Sequence, residues 1–268
     1  MRVALLQLAA DRGTPEDYRS FVKYLVQEEV PHDVAFVVLP ELWTTGHLPQ
    51  NIRKGVEVPQ GPTNSLLAML AKKRSLYIVG GSLPIQASQG ISNFCSIYGP
   101  AGFLTGYAKV HPFGPMGEKE WCIPGRNLCL FSTAYGKMGV MICYDLRFPE
   151  VARALAKAGS RAVFVPAAFP EARIDQWELL LRARAVENQI FMVGVNKAGR
   201  DGNHLFPGKS LVVAPDGAIL VEGARDEEIL LCDLDFNLIT QVRDAIPCWQ
   251  DLSPRAYELL LEDGEGLP

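Results

Sequence analysis

Three residues stand where apolar runs end, and each has a side chain capable of chemistry. Glu41 follows the run over 34–39 and Pro40, Lys109 follows Gly106-Tyr107-Ala108, and Cys143 follows Gly139-Val140-Met141-Ile142. A free thiol titrates near ~8.5 and is only a few per cent thiolate at pH 7, so a nearby base or cation is what makes it reactive. A carboxylate can take its proton, and an ammonium can hold the negative oxygen of a tetrahedral intermediate. Cys143 also precedes a short polar turn and Pro149, which opens a helical pattern. A strand, a turn and a helix start place the thiol at the carboxyl end of a strand, where open α/β folds hold ligands. Taken singly, the three have plainer readings: a buried core cysteine, a strand-end glutamate, a solvated lysine. Spacing alone does not bring them into one cleft; the elements that carry them must.

Those elements follow from periodicity. Near-continuous apolar runs at 3–8, 34–39 and 76–80 read as buried strands, and 18–29 and 63–73 as amphipathic helices. The pattern then changes to strands at 91–98, 103–108, 128–131 and 137–142, the last two forming a hairpin around 133–136. Helix–strand alternation resumes with helices over 149–157 and 175–189 and strands over 162–166 and 190–195. Strands at 211–214 and 229–234 are expected to pair around Pro215-Asp216-Gly217, followed by a short helix over 235–243. The whole is an α/β layer fold with part of its sheet antiparallel. A long loop between 109 and 128 lacks periodicity, but Phe113 and Trp121 argue against disorder, so it reads as functional. No linker divides the chain, so 1–268 is expected to be a single domain. The stretch 247–268, with Trp249, Tyr257, Leu259 and Leu260, reads as a tail packed on the domain or on a partner subunit.

Composition narrows the function. Of 268 residues, 48% are hydrophobic and 21% charged, and the net charge is −4 with no long basic run. Nucleic acid and anionic membrane are therefore poor partners. The stretch 1–9 lacks the length and flanks of a signal peptide, and no run is long enough to span a bilayer. The six cysteines include no close CxxC pair, and the four histidines do not join them at zinc spacing. A reducing, cytoplasmic setting fits this usage.

The chain resembles the nitrilase superfamily of carbon–nitrogen hydrolases. The resemblance rests on Pro40-Glu41-Leu42-Trp43-Thr44-Thr45-Gly46, on Tyr107-Ala108-Lys109-Val110-His111 and on the stretch from Gly139 through Cys143-Tyr144-Asp145-Leu146-Arg147-Phe148-Pro149-Glu150. The segments 177–189 and 196–210 agree with it, so nearly the whole chain is covered. The resemblance implies a four-layer α-β-β-α sandwich and a Glu41–Lys109–Cys143 triad. Cys143 would attack an amide carbonyl, Glu41 would shuttle protons, and Lys109 with the Tyr144 backbone N–H would hold the oxyanion. Glu118 matches a further family glutamate and would orient Lys109 or position substrate. No metal or organic cofactor is implied. Homodimers or larger homo-oligomers are implied, with the helices over 149–157 and 175–189 and the tail at interfaces.

Within the superfamily the chain is most similar to the omega-amidase-like branch, which hydrolyses small carboxylate-bearing amides such as 2-oxoglutaramate or 2-oxosuccinamate. Arg173 is then the candidate for the substrate carboxylate, and Trp43, Phe113 and Tyr144 for the pocket walls, with Trp121 at the entrance. Arg147 is expected to pair structurally, with Glu187 or Glu150, and His111 to hydrogen-bond the loop. The loop Pro112-Phe113-Gly114-Pro115-Met116-Gly117 departs from the omega-amidase pattern, which leaves substrate size and polarity open. Enzymes acting on N-carbamoyl amines or on deaminated glutathione remain alternatives, as does a nitrilase-fold binding or scaffold protein without catalysis.

Overall fold

A computed structural model describes residues 1–256. The strands are β1 (Arg2–Gln7), β2 (Phe36–Val38), β3 (Tyr77–Val79), β4 (Leu83–Ala87), β5 (Gly90–Gly99), β6 (Gly102–Ala108), β7 (Cys129–Thr133) and β8 (Gly136–Val140). They continue with β9 (Ala162–Pro166), β10 (Phe191–Val195), β11 (Ala198–Asp201), β12 (His204–Pro207), β13 (Leu211–Val213), β14 (Ile219–Glu222) and β15 (Glu228–Asp233). The helices are α1 (Pro15–Tyr24), α2 (Pro49–Lys54), α3 (Pro62–Arg74), α4 (Pro149–Lys157), α5 (Ile174–Asn188) and α6 (Asn237–Ala245).

Local chemistry sets the helix ends. Thr14 caps α1: its hydroxyl accepts from Asp17 N–H, and the Asp17 carboxylate accepts from Thr14 N–H at 2.7 Å. Pro15, Pro62 and Pro149 open α1, α3 and α4, where a missing N–H costs nothing. The helix expected over 18–29 is α1 extended by a π-helical turn, Leu25–Glu29.

Two sheets form the centre. The first runs β15-β1-β2-β3-β5-β4, with β6 also on β5, and the second runs β14-β13-β10-β9-β8-β7. Strand alternation gives each sheet two apolar faces. Val3, Leu5, Phe36 and Val38 face the second sheet, where the Phe36 ring stacks on Phe164 at 5.1 Å. Burying an aromatic of that size stabilises the fold by roughly 1.5–3 kcal/mol. The intervening residues Ala4, Leu6, Val37 and Leu39 pack instead with Tyr18, Val22, Leu67 and Leu70 of α1 and α3. On the far side, α4 and α5 cover the second sheet; a β-carbon on Gly139 would meet Leu155, and one on Gly194 would meet Leu181 and Trp177. The order is α-β-β-α, as the resemblance implies.

One pairing differs from expectation. β13 pairs with β14 around Pro215-Asp216-Gly217, while β15 crosses to the first sheet and runs antiparallel to β1, Arg2 opposite Asp233. β14 is apolar but only four residues long and half exposed, so the longer run of β15 is the stronger sequence signal; β15 buries Leu230 and Cys232 between the two sheets. In the described part of the tail, Trp249 donates to Asn188 O at 3.3 Å and lies under Arg153 and Arg243. Tyr257, Leu259 and Leu260 lie outside the described residues. Among the described residues no helix is long and apolar enough to cross a membrane.

Candidate active site

Glu41, Lys109 and Cys143 each lie just past the carboxyl end of a strand: β2 and β6 of the first sheet, β8 of the second. The sheets face each other, so these ends meet at one edge of the sandwich. Lys109 Nζ donates to Glu41 Oε1 at 2.7 Å and to Glu118 Oε2 at 2.7 Å. Glu41 Oε2 accepts from the Ala168 N–H at 3.1 Å, past the end of β9. Glu118 sits on a 3₁₀ turn of the long loop, and its Oε2 also accepts from Phe113 N–H at 2.6 Å. Glu41 and Lys109 are each 1% exposed. In so dry a place a charge persists only if paired, and these are paired on both sides.

The backbone at Cys143 is strained. Its φ is +45°, in the left-handed region that non-glycine residues rarely adopt. Asp145 holds it there. Its Oδ2 accepts from Ile142 N–H at 2.9 Å and from the Tyr107 hydroxyl at 2.8 Å, and its Oδ1 accepts from His111 N–H at 3.0 Å. His111 Nδ1 lies 2.7 Å from the same oxygen, and its ring stacks on Phe148. The loop expected to be hydrogen-bonded by His111 is thus tied through it to the thiol turn. The Tyr144 N–H lies in the first turn of a 3₁₀ segment, Cys143–Arg147, where N–H groups have no acceptor within the helix.

The Glu41 turn is built as tightly. Leu42 also has positive φ, +45°. Its N–H donates to Ser82 Oγ at 3.0 Å. Gly81, at φ +67°, lies so close that a β-carbon would collide with Pro40 O and come within 2.7 Å of Trp43 Cδ1. Gly81→Ala is therefore expected to destabilise the protein by at least about 2 kcal/mol, read as a lower urea midpoint, because it combines strain with overpacking.

The electrostatics define the resting state. Burial alone would raise the Glu41 pKa, but the Lys109 charge, with His47 assisting, holds it well below the usual carboxylate range. Burial opposes the Lys109 ammonium, yet Glu41 and Glu118 keep it firmly protonated. Burial and then the Glu41 charge push the Cys143 thiol well above its usual value, against Lys109 and the Ala168 N–H. The site at rest is thiol, carboxylate and ammonium.

Cys143 opens into a cleft walled by Phe113, Tyr144, Arg147, Phe169, Pro170 and Arg173. Its free volume is about 20 Å³, room for one water. The Phe113 and Tyr144 rings are 4.8 Å apart, and the Arg173 guanidinium lies 5.4 Å over Phe113. Phe113, Tyr144 and Arg173 thus lie beside the thiol. Trp43 does not. It is fully buried in the core between the first sheet and its helices, edge-on to Tyr18, with Nε1 donating to Gly80 O at 2.9 Å. The left-handed turn at Leu42 sends the indole away from the mouth that Glu41 faces. Trp121 is likewise absent from the cleft wall. Arg147 pairs with neither Glu187 nor Glu150: it donates to Gln176 Oε1 at 2.6 Å and faces the cleft, while Arg184 takes Glu187.

Two groups escaped the sequence reading. Asn93 Nδ2 donates to Glu41 Oε1 at 2.9 Å and to Glu118 Oε1 at 2.7 Å, bridging the two carboxylates. Its one available signal is a polar residue on the buried face of β5, in register with Cys95 and Ile97. His47 Nε2 lies 3.7 Å from Glu41 Oε2. A larger cavity, about 580 Å³, lies between α3 and the outer face of β4–β6; it is lined mainly by apolar groups and contains none of these residues.

Comparison with known proteins follows the same lines. The family model for carbon-nitrogen hydrolase matches residues 2–244. The 2-oxoglutaramate amidase of Bacillus subtilis (strain 168) is 33% identical over 257 residues, covering 95% of this chain and 98% of that protein. Omega-amidase NIT2 of Danio rerio is 32% identical over 256 residues, covering 92% of each. Among solved structures, Saccharomyces cerevisiae Nit3, a member of branch 10 of the nitrilase superfamily, superposes with a TM-score of 0.82 at 32% identity, covering 92% of this chain and 94% of that one. An amidase mutant from Nesterenkonia sp. AN1, with acrylamide added at its active site cysteine, has a TM-score of 0.79 at 28% identity, covering 92% of this chain and 98% of that one.

Proposed function

Because the chain belongs to the carbon–nitrogen hydrolase family and is a hydrolase of amide C–N bonds, we propose that it cleaves a small carboxylate-bearing amide through a thioester on Cys143. The substrate type is 2-oxoglutaramate or 2-oxosuccinamate, which releases ammonia. Cys143 Sγ attacks the amide carbon as Glu41 takes the thiol proton. The carbonyl oxygen becomes an oxyanion held by the Lys109 ammonium and the Tyr144 N–H. Glu41 then protonates the leaving nitrogen, the C–N bond breaks, and ammonia departs. Water attacks the thioester as Glu41 takes its proton, the C–S bond breaks, and the proton returns to sulfur. Glu118 and Asn93 hold Lys109 and Glu41 in place throughout. No step calls on a cofactor.

The observation that carries the substrate class is the pair Arg147 and Arg173 in the cleft with the thiol. Among the described residues neither has a carboxylate partner; Arg147 bonds a neutral amide, and Arg173 lies over an aromatic ring. Two guanidiniums near a narrow thiol cleft suit a substrate with its own carboxylate at the end opposite the amide. The relatives named for 2-oxoglutaramate and omega-amide hydrolysis support the same choice.

A substrate panel tests this. Ammonia release is expected to be fastest from 2-oxoglutaramate or 2-oxosuccinamate. Carbon dioxide release from N-carbamoyl amino acids, preference for a deaminated glutathione, or no turnover of any amide would overturn the reading. Arg147→Met and Arg173→Met are expected to raise KM for the carboxylate-bearing amides about 10–100-fold, the worth of a charge-assisted hydrogen bond, while leaving propionamide unaffected. The cytosol is the proposed location, and a homodimer or larger homo-oligomer the proposed state. Leu179 and Val186, exposed along α5, support the latter.

A further inference from the structure

Near Glu41, but outside the wall of the substrate cleft, lies a buried lysine that the mechanism does not use. Lys197 follows Asn196 past the carboxyl end of β10, in the second sheet, and is 1% exposed. Its Nζ reaches across to the first sheet and donates to Leu42 O at 2.8 Å. That carbonyl closes the Glu41 turn, accepting also from Thr45 N–H at 3.3 Å and Gly46 N–H at 2.9 Å. Leu42 is the residue with the unfavourable left-handed backbone, and Glu41 precedes it directly. The ammonium therefore ties the strained turn of the general base to the sheet that carries the nucleophile.

Asn196 secures the anchor. Its Oδ1 accepts from Phe169 N–H at 2.6 Å, and its Nδ2 donates to Phe169 O at 3.1 Å and Gly208 O at 2.7 Å. It thereby fixes the 167–169 segment, whose Ala168 N–H holds the other oxygen of Glu41. The titratable groups facing Lys197 are the carboxylates of Asp201, at the end of β11, and Glu41, and the Cys143 thiol. His47 stands between two of them: its backbone N–H donates to Asp201 Oδ2, and its Nε2 is 3.7 Å from Glu41 Oε2. Among the described residues no salt bridge pairs Lys197 within 4.0 Å, and an ammonium has three donors to satisfy. A buried cation so thinly paired marks a functional place more than a structural one. Burial, opposed by Asp201, Glu41 and Cys143, pulls its pKa down to about 8.

We infer that Lys197 is a positioning residue for the amide cleavage proposed above: its ammonium fixes the Glu41 turn and adds a second positive charge beside the Glu41–Cys143 pair. The inference rests on that reading for its catalytic half. Its electrostatic half does not, because alkylation of Cys143 needs no substrate. Alkylation draws on the thiolate, and forming the thiolate removes a proton from the cluster, which a nearby positive charge favours. Lys197→Met, close in volume and neutral, is expected to slow iodoacetamide alkylation of Cys143 at pH 7.5 by about 3–10-fold, and Lys197→Arg to restore most of it. Amide turnover per alkylatable site should fall roughly 10–100-fold in the methionine variant, with KM within about twofold, since Lys197 is not in the cleft wall and a small displacement of a reacting group costs about that much. The arginine variant should recover most of this loss as well.

A third measurement uses the unaltered protein. In ¹⁵N-detected titration of lysine side chains, one ammonium is expected to titrate near pH 8. A folded methionine variant that alkylates and turns over like wild type would sink the inference, as would a wild-type protein in which one lysine titrates well below pH ~7, for Lys197 would then carry no charge at the working pH. Wild-type protein that hydrolyses no amide would sink the proposed function and leave the alkylation and titration results to decide the place of Lys197.

Discussion

Cys143→Ala is expected to lower amide hydrolysis by at least about 10⁴-fold, because a nucleophile is not replaced by its neighbours. The fold should survive. Alanine occupies the same left-handed position, and the Asp145 bonds that hold the turn reach Ile142, Tyr107 and His111, not the sulfur. Intact-mass spectrometry during turnover of 2-oxoglutaramate should show an acyl adduct on the wild type and none on the variant. Serine should do little better than alanine. Its hydroxyl is a far weaker acid than a thiol, and a carboxylate held well below its ordinary range by Lys109 and His47 is too feeble a base to activate it. An adduct that persists in the alanine variant, or one mapped to Cys122, would refute the assignment.

Glu41→Gln should separate two properties that usually fall together. Hydrolysis is expected to drop at least about 10³-fold, since the amide cannot accept or return a proton. Alkylation of Cys143 should instead become faster at neutral pH. Burial and the Glu41 charge both hold the thiol protonated, and glutamine removes the second while Lys109 stays. The sign is fixed: losing an adjacent negative charge makes the thiol a stronger acid, and while the sulfur is still mostly protonated its thiolate fraction grows in proportion to that acidity. In the wild type, alkylation should climb through the alkaline range; in the variant the same climb should begin at lower pH. A variant that loses both reactivities would mean that Glu41 creates the thiolate in the resting protein, contrary to the charge state described above.

The parts of the site that could be read from sequence are those that depend on strand ends. Glu41, Lys109 and Cys143 each stop an apolar run, and a layered sheet brings such stops to one edge. Glu118 was accessible through the family pattern, not through any periodicity of its own loop. What stayed hidden depends on backbone turns that no periodicity records. Trp43 lies two residues from Glu41, yet the left-handed Leu42 points it into the opposite core. Arg147 faces the cleft because a 3₁₀ turn, not the start of α4, follows Cys143. Asn93 is one of several polar residues in a ten-residue strand, and its meaning comes from carboxylates 52 and 25 residues away. Long-range choices between strands were hidden for a similar reason: β14 and β15 both suit β13 by pattern, and only the open flank of β1 decides which one leaves.

That open flank bears on synthesis. Of the described strands, the earliest in the chain is the neighbour of the latest: the Met1 amine donates to Leu234 O at 2.9 Å, and β1 lies along the whole of β15. Between them the ribosome must deliver the entire second sheet. A nascent chain therefore carries one unpaired edge on β1, ready to recruit a stray strand, until β15 has emerged. Met1 and Leu234 also lie side by side once the sandwich closes, so in a chain cut after β15 a short peptide joining residue 234 to residue 1 would leave every strand pairing intact, and new termini could be placed elsewhere without opening the mouth that holds Cys143.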